Sequence, residues 1–164
     1  MPLKKELVVD NWNTLVETGA GRSKQVMDAI ETKINAANIP RVRVGQREVS
    51  GSLFGTKRNF LIVATDGLPE FFLYICARDY GIHLDISWYL TIQPRGYKQA
   101  FSRYRTGSPT ALSMRLGVFR QQDATAFVTA VHHCVTQQVK ELLEDLSLDP
   151  RGLNTQSKGF LSVW

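Results

Sequence analysis

The sequence predicts an α+β fold: a four-stranded antiparallel sheet, preceded by a helical hairpin and followed by a long amphipathic helix packed on one face. Three observations lead there. Ile82, Leu84, Ile86, Trp88, Leu90 and Ile92 alternate with His83, Asp85, Ser87, Tyr89 and Thr91, the period of two of a strand with one face in the core. Phe127, Val128, Val131, Val135, Val139, Leu142, Leu143 and Leu146 recur at helical spacing. The 164 residues contain no interdomain linker, internal repeat or low-complexity tract, and a chain of that length folds as one domain with a full core.

Taken in order, residues 1–39 read as helical. Leu3, Leu7, Trp12, Leu15 and Val16 follow a roughly helical spacing that Gly19 and Gly21 interrupt. Ser23 is then an expected N-cap for a stripe of Val26, Met27, Ile30, Ile34 and Ala37, which Asn38 and Pro40 end. Residues 41–93 read as the sheet. Val42 and Val44 alternate with arginines, as in an edge strand; Arg58 to Thr65 is apolar on both faces; Asp66-Gly67-Leu68-Pro69 is a turn; Phe71 to Arg78 is the third strand. Residues 94–122 form a basic connecting segment, 123–146 the long helix with Asp123 as its N-cap, and 147–164 a tail that is polar until Phe160, Leu161, Val163 and Trp164.

One hairpin register follows from the side chains. With Tyr80-Gly81 as a two-residue turn, Arg78 faces His83, Cys76 faces Asp85 and Tyr74 faces Ser87. The other face pairs Ala77 with Leu84, Ile75 with Ile86 and Leu73 with Trp88, like with like. Trp88 is therefore expected in the core, with His83 and Asp85 on the opposite, polar face.

The net charge is +5 and the pI about 9.4, a balance that favours acidic partners. The excess is local. Between Asp85 and Asp123 there is no acidic residue, while Arg95, Lys98, Arg103, Arg105, Arg115 and Arg120 all fall there. Tyr97, Phe101 and Tyr104 interleave with them, a pattern in which arginines bind phosphates and aromatic rings stack on exposed bases. These nine residues are the candidate ligand-binding set. A basic excursion whose rings pack on the sheet has the same composition.

A second candidate site is the polar sheet face, where Arg78 could hold an anion, His83 move a proton and Asp85 orient the imidazole. A solvent-facing surface with an ordinary cross-strand ion pair looks the same in sequence. Gly19-Ala20-Gly21-Arg22-Ser23-Lys24 lacks the first glycine, the lysine and the preceding strand of a phosphate loop. His132-His133-Cys134 occupies consecutive helix positions that diverge by about 100°, so these side chains cannot share a metal ion. No metal and no cofactor is expected. Two cysteines, Cys76 and Cys134, suit reduced thiols rather than a disulfide scaffold. Met1 to Glu6 lacks a signal peptide's apolar stretch, and the longest apolar run, Phe71 to Ala77, is far short of the roughly 18 residues that span a bilayer; a cytoplasmic chain without membrane insertion is expected.

Ala77-Arg78-Asp79-Tyr80-Gly81 with His83-Leu84-Asp85 and Ser87-Trp88-Tyr89-Leu90-Thr91 resembles a group of uncharacterised bacterial proteins. So do Gln121-Gln122-Asp123 leading into Phe127 through His133, and the terminal Gly159-Phe160-Leu161-Ser162-Val163-Trp164. The resemblance covers most of the chain. It implies a bacterial, cytoplasmic protein and brings no activity or site residue with it. More distantly similar proteins carry apolar segments between sheet and last helix, where this chain is basic. Three functions stay open: a non-enzymatic binding module for nucleic acid or another polyanion, using the basic segment with Arg41, Arg43, Arg47, Lys57 and Arg58; a small enzyme on the polar face; and an assembly subunit, paired with a protein partner or a second copy, of a bacterial multiprotein complex.

Overall fold

The structure, a computed structural model, describes residues 8–50, 57–93 and 117–164. The elements are β1 (Val8–Val16), α1 (Ser23–Ala36), β2 (Val42–Ser50), β3 (Lys57–Thr65), β4 (Phe71–Tyr80), β5 (His83–Ile92), α2 (Val118–Asp145) and a 3-10 turn at Pro150–Gly152. Among the described residues one antiparallel sheet has five strands, in the order β1-β5-β4-β3-β2. Both helices pack on one of its faces.

The fifth strand corrects the expected fold. The first half of the helical hairpin is instead β1, an edge strand paired with β5. Its period of two is hidden by a buried acid. Asp10, Trp12, Thr14 and Val16 all share the core face, with Asp10, Trp12 and Val16 buried. Counting Asp10 as polar breaks that alternation and leaves the helical spacing of Trp12, Leu15 and Val16 as the visible pattern. Val8, Val9, Thr14 and Val16 are β-branched and suit the strand.

The core face carries Leu61 and Val63 of β3, Phe71, Leu73 and Ile75 of β4, and Leu84, Ile86, Trp88, Leu90 and Ile92 of β5, all buried in one cluster. Against it α1 sets Val26, Met27, Ile30 and Ile34, while Ala37 is exposed beyond the helix end. Ser23 is the first helical residue, not the cap, and Arg22 at the N-cap makes no side-chain cap bond. The long helix starts five residues earlier than expected, with Gly117 rather than Asp123 at its N-cap, and buries Ala124, Phe127, Val128, Val131, His132, Val135, Val139 and Leu142. The acidic residues at its C-terminal end oppose the macrodipole, but Glu141 is held by Lys33 of α1 at 2.8 Å.

The β4–β5 turn is Gly81-Ile82, not Tyr80-Gly81. Gly81 has φ +62 and Ile82 is not among the positive-φ residues, the pattern of a type II′ hairpin turn. The register shifts by two: Tyr80 pairs with His83, Arg78 with Asp85, Cys76 with Ser87, Ala77 with Ile86 and Ile75 with Trp88. A shift of two preserves the faces, so Trp88 is in the core, and His83 and Asp85 are on the other side. Ile82 leaves the strand and is exposed.

The tail folds back along the outer edge of β1. Lys158 N donates to Asn11 O (2.7 Å) and Phe160 N to Val9 O (3.0 Å). The buried Asp10 carboxylate accepts the backbone N–H groups of Leu161 (2.8 Å) and Ser162 (3.2 Å), bonds that offset the cost of taking a carboxylate out of water. Gly159 permits the close approach: a Cβ there would lie 2.6 Å from Asp10 Cα.

His132 joins these layers. It is fully buried, with Trp12 and Trp88 edge-on at ring-centroid distances of 5.4 and 5.6 Å. An indole N–H only donates, so the Trp88 Nε1 to His132 Nδ1 bond of 2.9 Å leaves Nδ1 bare and puts the ring hydrogen on Nε2. Nε2–H donates to Thr155 O at 2.6 Å. Trp12 Nε1 donates to Asn154 O at 2.8 Å.

Trp88→Ala should cost about 3–5 kcal/mol, much of a typical domain's stability. Chemical denaturation measures it, and a loss below about 1 kcal/mol would contradict the packing described. Burial holds the His132 imidazole below its usual value, outweighing the Thr155 carbonyl and the more distant Asp10, which favour the cation. With the folded value lowered, the unfolded chain binds the proton first as pH falls, so the stability from the neutral ring is intact above about pH 6.5 and is lost as pH drops through the lowered folded value. The thermal midpoint should therefore fall between pH 7.5 and 5, and fall less steeply in His132→Gln; equal slopes would remove His132 as the cause.

Candidate functional site

The face opposite the helices is built from alternate residues of the same strands. β2 supplies Arg43, Gly45, Arg47 and Val49; β3 supplies Arg58, Phe60, Ile62 and Ala64; β4 supplies Phe72, Tyr74, Cys76 and Arg78. β5 adds His83, Asp85, Ser87, Tyr89 and Thr91. Much of it is not polar. Val49, Phe60, Tyr74 and Cys76 form a second buried apolar cluster, with Ile62, Phe72 and Tyr89 packed against it and the Phe60 and Tyr74 rings edge-on at 6.0 Å. Tyr74 and Cys76, expected on a polar face, both have their acidity reduced by burial.

Arginines flank this apolar patch. Arg43 and Arg47 of the edge strand β2 and Arg58 of β3 are exposed and share one face through the pairs Arg43–Ala64, Arg47–Phe60 and Val49–Arg58. Arg43 also holds Asp66 at 2.9 Å, an exposed pair that an incoming anion can exchange. Lys57 lies on the opposite face, bound to Glu48 at 3.3 Å, and so does not join them. Beside Arg43 and Arg47 a hollow of about 460 Å³ opens over Gly45, Ile62, Ala64, Phe72 and Tyr74, with Gln93 at its end. Gln93 Nε2 donates to the Tyr74 hydroxyl at 3.1 Å.

The other candidate set is differently placed. Arg78 Nε donates to Asp85 Oδ2 at 2.8 Å, a bond that raises the guanidinium's affinity for its proton, and the guanidinium sits 5.7 Å from the Tyr80 ring centre. Arg78 and Asp85 therefore engage one another directly across the strands. His83 pairs with Tyr80 instead, and its Nδ1 is buried without a hydrogen-bond partner among the described residues. Neither the hollow over β2–β4 nor a second one, of about 560 Å³ between the end of α1 and the start of α2, is lined by Arg78, His83 or Asp85.

Of the basic segment, Arg95, Tyr97, Lys98, Phe101, Arg103, Tyr104, Arg105 and Arg115 lie outside the described residues. Arg120, in the first turn of α2, forms an ion pair with Glu70. Among the described residues no group of three or more His, Cys, Asp or Glu could hold a metal ion, no helix is long and apolar enough to cross a membrane, and both cysteines are free and buried. Sequence reasoning sets Arg43, Arg47 and Arg58 beside the basic segment only by charge. The hollow next to them has one sequence signal, Gly45 in the middle of a strand, where a missing side chain marks a close approach or an open space.

No family model, curated protein or solved structure matches the chain.

His83→Ala should change stability by no more than about 0.5 kcal/mol, because the ring loses no hydrogen bond at Nδ1. Arg78→Ala should cost about 1 kcal/mol at most, as half of a partly exposed pair. Thermal denaturation reads both; a larger loss for His83→Ala than for Trp88→Ala would reverse the assignment of faces.

Proposed function

We propose that this domain binds nucleic acid through the outer face of its sheet at the β2 edge, as a non-enzymatic module. The observation that carries the reading is the placement of Arg43, Arg47 and Arg58 on one exposed face beside an apolar and aromatic surface. Each guanidinium offers a rigid fork of donors to a phosphate. Binding releases counterions condensed on the nucleic acid, and the aromatic surface adds contacts to bases. The basic segment from Arg95 to Arg115 adds to the chain's positive charge.

Enzyme chemistry at Arg78, His83 and Asp85 has less support. A base oriented by a carboxylate needs the two in contact, and here the carboxylate is bonded to the guanidinium. An assembly role for His132 and the tail also has less support, because His132 bonds Trp88 and Thr155 of its own chain and Val163 is buried.

The test is a titration of labelled DNA and RNA with the full chain at several salt concentrations. The logarithm of the affinity should fall linearly with the logarithm of the salt concentration. Removing Arg43, Arg47 and Arg58 together should weaken binding and reduce the slope by about 0.7–0.9 for each phosphate that is no longer neutralised. Absence of salt-dependent binding at micromolar protein would overturn the proposal.

A further inference from the structure

We infer that the nucleic acid is single-stranded and that the hollow over β2–β4 takes one of its bases, unstacked and turned into the sheet. The inference rests on the nucleic-acid reading and adds a ligand class to it.

The hollow combines features that binding a phosphate alone does not need. Its floor is apolar and aromatic, with Ile62, Ala64 and Phe72 on adjacent strands, and its rim is polar, with Arg43, Arg47 and Glu48 along β2. Phe72 is half-buried and offers ring surface to a flat ligand. Gly45 leaves the centre of β2 open, since a Cβ there would meet no atom within 4 Å. At the end of the hollow, the bond from Gln93 to Tyr74 uses one amide hydrogen and one lone pair of the hydroxyl. Among the described residues the Tyr74 hydroxyl hydrogen, the second Gln93 amide hydrogen and the Gln93 carbonyl remain as donors and acceptor for the edge of a base. Arg43 and Arg47 stand on either side of Gly45, about 13 Å apart along the strand, where they can hold the phosphates flanking a base that enters between them. An apolar and aromatic floor, a hydrogen-bonding end and a cation on each side together fit a nucleotide within a chain.

Duplex fits poorly. Its bases are stacked and paired, and turning one out costs a few kcal/mol that a single strand does not require. A hollow at the edge of a sheet also gives a duplex no element to place in a groove, whereas aromatic surfaces on antiparallel sheets suit splayed bases.

The experiment compares four labelled probes by fluorescence anisotropy: a single-stranded oligonucleotide, its duplex, a single strand of the same length without bases, and inorganic polyphosphate. Gly45→Val supplies the matching variant. Valine favours a strand, the position has open space, and the side chain would project into the hollow at its centre while leaving every arginine in place. Single strand should bind about 5- to 150-fold tighter than the baseless strand, the span expected from stacking one base. Gly45→Val should reduce single-strand affinity towards that of the baseless strand, with its circular dichroism and salt slope unchanged and its thermal midpoint no lower. Gln93→Ala, outside the strands, should show a smaller loss in the same direction.

Duplex binding as tight as single strand, or a folded Gly45→Val with full single-strand affinity, would overturn the inference and leave the polyanion reading in place. Equal binding of polyphosphate, baseless strand and single strand would do the same. No binding of any of the four would overturn the nucleic-acid reading itself.

Discussion

The imidazole of His132 is the joint on which the layers of this domain meet. It stands on α2, accepts a hydrogen bond from Trp88 midway along β5, and donates one to Thr155 at the start of the returning tail. Trp12 of β1 packs against the same ring and holds Asn154 beside it. Helix, two neighbouring strands and tail thus depend on one neutral side chain. Its hydrogen can sit on only one nitrogen, and both nitrogens are committed. A buried polar network of this kind rigidifies a fold because each member is satisfied only when all are in place. Asp10 has a similar part at the other end of β1, where a buried carboxylate gathers the backbone of Leu161 and Ser162.

These two anchors dispose of one edge of the sheet. The tail runs along β1 and occupies backbone groups there, at Val9 and Asn11. The opposite edge, β2, pairs with β3 on one side, and among the described residues no strand lies on its other side. Arg43 and Arg47 along it discourage uncontrolled strand pairing. The same arginines that keep the edge from pairing give it an affinity for anions, so protection and recognition draw on the same charges.

The two sheet faces differ in what they can offer. The inner face is a closed apolar layer under both helices, and change there is felt as lost stability. The outer face buries only a small cluster around Phe60 and Tyr74, and the hollow beside it shares Val49 and Tyr74 with that cluster. Arg78 and Asp85 satisfy one another farther along that face, which leaves the β2 side as its electropositive part.

Local periodicity was enough to determine α1, α2 and the faces of β4 and β5. Ile30 and Ile34, Val131 and Val135, or Trp88 and Leu90 repeat within one element, and each face follows from the backbone period of that element alone. Trp88 could be assigned to the core, and His83 and Asp85 to the other side, even with the hairpin turn misplaced, because a shift of two residues leaves the faces unchanged. Three things required the tertiary structure. β1 is a strand because β5 and the tail satisfy its backbone, and Asp10 can point inward only because Leu161 and Ser162, about 150 residues away, meet it. The turn at Gly81-Ile82 sets which cross-strand partners touch, and it brings Arg78 onto Asp85 rather than His83. The gathering of Arg43 and Arg47 beside Phe72 and Tyr74, with Arg58 beyond Phe60, joins three strands, and its register is carried by hydrogen bonds between chain segments that no local pattern encodes. Periodicity is a property of one segment, whereas a site is a property of neighbours, and in a sheet the neighbours are chosen by pairing across the fold.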